Sequence, residues 1–403
     1  MSSDARVSTL SRREAALAAS ERLASSLPTL ERLPALVGFD GFVDSIIQVV
    51  DQRHAMTPDG YSRLRTIEQF AGRTAAAAGR STNIELVVRE DRFGGNGPLM
   101  AGGLGRLGAA VTYIGAVGRA DNPREVDPIF QPFASRCRRV IPVAPPAHTD
   151  ALEFDDGKLM FGKPQNIQGV TWETLKAQVG ADRLRALIEH ASLIGVVNWV
   201  MMGGVESIWD GLCDEVFPTL GAAAKKKRVF IDLCDPAKRT DEDVARALAK
   251  VQRLNSFVPT TLGLNLAEAE RVSAVLGLDV LQHLGHEANI GRGQAIRYGA
   301  DAIRDRLAID CVVVHPREGA AAADAAGRSA WFDGPFVRQP KLSTGAGDHF
   351  NSGFALGQLL GAPIEECLAM ACGTSGAYVR DAQSPDAARL IQMLRDLPPA
   401  SSE

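Results

Sequence analysis
Apolar runs rich in β-branched residues recur at 35–37, 111–114, 193–197, 229–233 and 311–314. They are mostly continuous rather than alternating, the pattern of strands covered on both faces. Stretches with helical spacing of apolar positions lie at 98–107, 182–190, 208–225 and 296–307, each ahead of one of these runs. Helix and strand in alternation predict an α/β fold: a mainly parallel sheet with helices on both faces. Residues 1–30, Ala-rich and amphipathic, read as an N-terminal helical extension, and 31–395 as the principal domain.

One region breaks the alternation. Between 138 and 162 two short apolar runs flank Asp156-Gly157, a strong hairpin signal. A hairpin leaving a parallel sheet would form a small β lid able to cover a ligand and exclude water. Its exposed edge also offers a pairing surface, so a homodimer is the oligomer this reading suggests.

Composition narrows the class. A chain of 403 residues, 45% hydrophobic and 23% charged, has ample core and ordinary surface. The net charge of −4 weighs against nucleic acid, and the basic run 225–228 reads as a solvated helix end before a strand. Six scattered cysteines, with no Cys-x-x-Cys pair, indicate neither a zinc site nor a disulfide framework. No apolar run reaches membrane-spanning length, and 11–23 has charges where a secretory segment would be apolar. A cytoplasmic protein without membrane or nucleic-acid partners is expected.

The chemistry is written most clearly near the C-terminus, at Gly345-Ala346-Gly347-Asp348. Backbone N–H groups of small residues at a helix start can close on an anion, and the helix dipole favours negative charge there. Phe350, Phe354 and Leu359 or Leu360 carry a helix onward to a stop at Gly361. Asp348, beside the anion cradle, suits a general base that takes a proton from a hydroxyl attacking phosphorus. Phosphoryl transfer to an alcohol is the reaction this implies.

Two other glycine clusters differ in weight. Gly103-Leu104-Gly105-Arg106-Leu107-Gly108 matches the dinucleotide fingerprint formally, but its glycines fall inside a helical stretch that precedes the strand, so Gly108 reads as a helix stop. Gly94-Gly95-Asn96-Gly97, ahead of a helix, lets backbone and one polar side chain approach a ligand. The first strand runs into a polar, Gly-rich turn containing Asp40 and Asp44, the place where α/β proteins put ligand groups.

The pairing of Gly94-Gly95-Asn96-Gly97 with Gly345-Ala346-Gly347-Asp348 resembles the ribokinase-like (PfkB) carbohydrate kinase family over roughly residues 35–384. The resemblance implies a ribokinase-like fold and a sugar and ATP as substrates, with ADP left open as donor. It places Asp348 as base, with Gly345, Ala346 and Gly347 as the anion hole. Asp40, Asp44, Gly94, Gly95 and Asn96 would meet the sugar. Asn265-Leu266-Ala267-Glu268 is similar to the family's Asn-x-x-Glu motif, making Glu268 the Mg²⁺ residue, and a lone Glu suffices because magnesium keeps several waters. Read alone, Glu268 is equally an exposed helix residue. Asn265, His315, Arg317, Gly319, Gly345 and Gly347 would line the nucleotide, and a monovalent cation is left open near Ser384.

Departures from the family pattern are Leu342 at the opening of the late motif, Leu99 where a sugar-contacting Asn is usual, and His315-Pro316-Arg317 on the nucleotide side. They keep other readings in play: a nucleoside or other small alcohol as acceptor, ADP as donor, or an inactive sugar-binding protein.

Overall fold
The computed structural model describes residues 6–7, 10–281 and 291–400. A ten-stranded sheet runs in spatial order Arg6–Val7, Arg328–Asp333, Gly319–Asp324, Cys311–Val314, Thr260–Leu264, Arg228–Asp232, Leu193–Val197, Pro34–Phe39, Ala110–Gly115 and Arg139–Pro142. All neighbours are parallel except where Gly319–Asp324 pairs antiparallel on each side.

The unbroken apolar runs have the expected cause. Successive side chains of a strand point to opposite faces, and here both faces are buried. Leu36, Ile194, Val196, Val312 and Val314 pack into one core, with Leu184, Ile188, Leu248 and Val251. Val37, Leu193, Val197 and Val313 pack into the other, with Met100, Phe350, Phe354 and Leu390.

Three features add to the sequence reading. The helical extension expected at 1–30 packs onto the principal domain: helix Arg12–Ser26, opened by a Ser11–Glu14 capping box, buries Ala15, Ala16, Ala19 and Leu23 in the second core. Residues 1–5 and 8–9 of that stretch lie outside the described residues. Residues 139–142, placed in the lid, form an edge strand of the main sheet, because the Ile141 side chain joins the first core. Finally, the alanines of Gly319–Asp324 form a fully inserted strand; small side chains suit it because helices Arg292–Leu307 and Ile364–Asp381 press on its two faces.

The lid is larger than a hairpin. Ala147–Phe154 and Gly157–Lys163 do pair antiparallel around the Asp155-Asp156 turn. They extend a second sheet whose centre is the twelve-residue strand Phe42–Arg53, flanked by Tyr61–Arg63, Leu86–Gly94 and Ala147–Phe154. This sheet has its own small core, of Ile47, Val49, Leu64, Leu152 and Phe154. It leaves the main sheet directly after Phe39 and returns at Gly94, which places its base over the strand ends. No helix among the described residues is long and apolar enough to cross a membrane.

Candidate active site
Five parallel strands end at one edge, and a polar residue closes or follows each: Asp40, Asn198, Asp232, Asn265 and His315. Open α/β sheets bind ligands at this carboxyl edge.

Asp40 is fully buried. Its Oδ2 accepts from the Asn96 N–H (3.0 Å) and from Asn198 Nδ2 (2.7 Å), and its Oδ1 from the Gly97 N–H (2.8 Å). Burial still pushes its pKa up to about 6 against these bonds. Asp40, expected to meet the sugar, is therefore shielded from solvent. Its oxygens are spent on the start of helix Asn96–Arg106, and through it they orient Asn96. Asp44 lies four residues on, in the lid, partly open, hydrogen-bonded to Thr149 and touching the Gly94 backbone so closely that a β-carbon at 94 would collide with it.

The late motif starts helix Ala346–Leu359, as expected. Gly345 adopts φ +86°, which L side chains rarely take, and no side chain caps the helix. Leu99 occupies the far side of this turn, its Cδ1 3.2 Å from where a β-carbon of Gly345 would sit. Asp348 is buried one turn in, and its Oδ1 accepts from Asn96 Nδ2 at 3.0 Å. The two glycine motifs, 252 residues apart in sequence, thus meet through one hydrogen bond. Burial, then the negative charges of Asp232 and Asp40, hold the Asp348 carboxyl well above the usual carboxylate range. Such shifts are frequent at functional sites, where burial and like charges meet.

Glu268 is buried, not exposed. It closes a capping box with Asn265: its Oε2 accepts from the Asn265 N–H (2.8 Å) and its Oε1 from Asn265 Nδ2 (2.7 Å). Burial followed by the charges of Asp232 and Asp235 raises it to about 8. Asp232 is buried too, fixed by Asn351 Nδ2 (2.6 Å) and the Cys234 N–H (2.7 Å). Among the described residues no Lys or Arg pairs with Asp232 or Glu268, whose partners are amides, and their hard oxygens are the donor type magnesium takes. Among the described residues there is no group of three or more His, Cys, Asp or Glu that could hold a metal ion.

On the nucleotide side the expectations divide. His315 ends its strand with its ring stacked on Phe350, centroids 4.6 Å apart, and burial lowers its pKa to about 4. Arg317 is exposed. Gly319 is not at the cleft surface: it is buried in a strand, its Cα packed beneath Trp331 and the Phe332 carbonyl.

Four participants escaped the sequence reading. Asn198 has φ +66° and donates to Asp40; its signal was its place straight after an apolar strand. The Tyr113 hydroxyl donates to the Asp40 carbonyl, and nothing local announces it. His349 and Tyr378, stacked behind the Gly345 turn, were hidden because they meet only in three dimensions.

The sequence matches the family model for prokaryotic ketohexokinase over residues 11–397. It is 29% identical over 379 residues to a ketohexokinase of Haloferax volcanii, covering 92% of this chain and 94% of that protein. The fold is similar to Arabidopsis thaliana ribokinase complexed with ribose and ATP, with TM-score 0.58 and 16% identity over 90% of this chain and 98% of that one. It is also similar to Cryptococcus neoformans ribokinase in complex with ADP, with TM-score 0.58 and 13% identity over 90% and 99%. At such identities the two structures establish a ribokinase fold. With nearly its whole length matched, the chain belongs to the prokaryotic ketohexokinase family of sugar kinases.

Proposed function
We propose that this enzyme transfers the γ-phosphoryl group of ATP to a hydroxyl of a ketohexose. The observation that carries the proposal is the Asn96–Asp348 hydrogen bond, which brings the Gly94–Gly97 turn and the Gly345–Asp348 helix start to one point.

Asp44, Asn96 and the backbone of Gly94 and Gly95 would hold the sugar under the lid. Asp348 takes the proton of the attacking hydroxyl as its oxygen bonds to the γ-phosphorus. The bond from that phosphorus to the bridging oxygen breaks, leaving ADP, and the proton rests on Asp348. The helix start at Gly345, Ala346 and Gly347, where the Ala346 N–H already donates to the Ser343 carbonyl (3.1 Å), would receive the transferring group's negative oxygens. Positioning and electrostatic stabilisation supply most of the rate in such reactions. Glu268, held by Asn265, and Asp232 would hold Mg²⁺, which when bound neutralises charge on the β- and γ-phosphates. His315 and Arg317 would flank the nucleotide.

A coupled turnover assay with ketohexoses, aldohexoses, pentoses and nucleosides, each with ATP or ADP, tests the reading. The highest kcat/KM is expected for a ketohexose with ATP. Preference for a nucleoside, or tight sugar binding with no transfer from either donor, would overturn it.

A further inference from the structure
His349 is 1% exposed, and its ring lies flat on Tyr378, with centroids 3.7 Å apart and planes at 12°. The two side chains reach consecutive carbonyls of the cradle turn. The Tyr378 hydroxyl donates to the Thr344 carbonyl at 2.8 Å, and His349 Nδ1 lies 2.8 Å from the Gly345 carbonyl. A carbonyl only accepts, so Nδ1 carries the proton and Nε2 is left as an acceptor. Nε2 sits 2.8 Å from Ser384 Oγ, which in turn accepts from Arg136 Nη1 at 3.1 Å. Every polar atom of the imidazole is thereby committed, and the ring is the neutral tautomer. Burial, which lowers its pKa to about 4, agrees.

The consequence lies in the peptide geometry. A trans peptide sets its C=O and N–H in opposite directions. Pinning the Thr344 carbonyl towards Tyr378 turns the Gly345 N–H away from it, and pinning the Gly345 carbonyl towards His349 fixes the next peptide plane. Two backbone bonds also hold this turn, from the Ala346 N–H to the Ser343 carbonyl and from the His349 N–H to the Gly345 carbonyl, each 3.1 Å, but Ser343 and Thr344 are exposed and glycine at 345 tolerates several backbone orientations, so the side-chain bonds supply the remaining restraint.

We propose that His349 and Tyr378 are positioning residues that clamp the Thr344 and Gly345 carbonyls, so that the cradle's amides are aimed before any phosphate arrives. Neither touches the reacting atoms. Their effect falls on the step in which negative charge develops, not on sugar binding, because donors fixed in advance need no reorganisation during reaction. The inference rests on the kinase reading above.

The test uses the full chain and the variants His349→Leu, His349→Asn and Tyr378→Phe, with kcat, KM and nucleotide-free sugar binding measured for each. His349→Leu should lower kcat by roughly 10- to 100-fold while sugar affinity stays within about twofold. His349→Asn should recover most of that loss, since its amide can donate to the same carbonyl. Tyr378→Phe keeps the stacked ring, loses one hydroxyl and should lower kcat by about three- to tenfold. If His349→Leu fails to fold, Tyr378→Phe decides alone. Unchanged kcat in the folded variants, or losses of kcat and sugar affinity in parallel with no recovery by Asn, would overturn the clamp. An inactive wild type would instead overturn the kinase reading.

Discussion

Two helices begin at the same site and are finished in opposite ways. At the Asn96 start, a buried carboxylate already accepts from the first two N–H groups, so the positive end of that helix is neutralised from within by Asp40. At the Gly345 start no side chain caps the helix. The nearest acid, Asp348, reaches across to Asn96 rather than back to its own helix start. A third helix nearby, Leu266–Val275, caps itself with its Asn265–Glu268 box. The difference teaches where an anion can go. Free N–H groups and a helix dipole attract phosphate only where the protein has not supplied its own negative group. The chain has spent acids on the Asn96 and Leu266 starts, whereas at the Gly345 start the Ala346 N–H donates to the Ser343 carbonyl and no acid closes the turn, the arrangement the proposed phosphate site requires.

The sharpest way to break this comparison is to disarm the acid beside the open start. Asp348→Asn keeps the size of the side chain and a partner for Asn96, but removes the proton acceptor. The expected loss in kcat is about 10²- to 10⁴-fold, the usual worth of a general base. Sugar binding measured by calorimetry should be nearly unchanged. A variant that keeps more than a tenth or so of wild-type turnover would show that the proton leaves by another route.

The next prediction converts the capped start towards the open one. Asp40→Asn removes the resident charge, and the effect should appear in stability against pH. The folded protein holds the Asp40 pKa at about 6, above the ordinary 3.8, because burial disfavours the charged form. Its contribution to stability is therefore fully present below about pH 4 and is lost as pH rises through about 6. Over that window the shift corresponds to a loss on the order of 3 kcal/mol. Urea unfolding of both proteins across the window should show the wild type's advantage shrinking as pH rises. Parallel profiles would mean that Asp40 is not titrating in this way. Asp348 also feels the Asp40 charge, so the acid limb of kcat should move to lower pH in the variant.

Much of this contrast was legible in the sequence, and what was not has physical causes. The parallel sheet showed itself because strands buried on both faces read as unbroken apolar runs. The helix start at Gly345 and the nearness of Asp348 to it were readable because they sit within four consecutive residues. Phe42–Arg53 was missed because only part of its length is buried and its polar positions follow no clean alternation. Gly319–Asp324 was missed because alanine is a poor strand former, favoured here only by the helices packed on it. Asp40 was recognised as important, but its hold on the next helix start was not foreseen. From sequence, an acid at a strand end that binds a sugar looks the same as one that caps the next helix; burial and three donors tell them apart. The His349–Tyr378 stack joins residues 29 positions apart through tertiary packing, which no local spacing encodes.

The smallest expected effect concerns the backbone that keeps the second start open. Gly345→Ala adds one carbon to a residue at φ +86°. An L side chain in the left-handed region costs roughly 1–2 kcal/mol. The new β-carbon would also stand 3.1 Å from the Tyr378 hydroxyl and 3.2 Å from Leu99 Cδ1, so the turn must yield by a few tenths of an ångström or shed the Tyr378 bond. Either response rotates the peptide planes that aim the cradle. Thermal unfolding should report the modest strain, while kcat should fall further, by about tenfold, with sugar affinity preserved. The asymmetry is the informative part: an ordinary strained turn would lose stability alone. A turn whose amides must be aimed at charge appearing only during transfer loses rate out of proportion to its stability. If Gly345→Ala lowers stability and leaves kcat intact, the open helix start is a structural accident and not the place where phosphate is held.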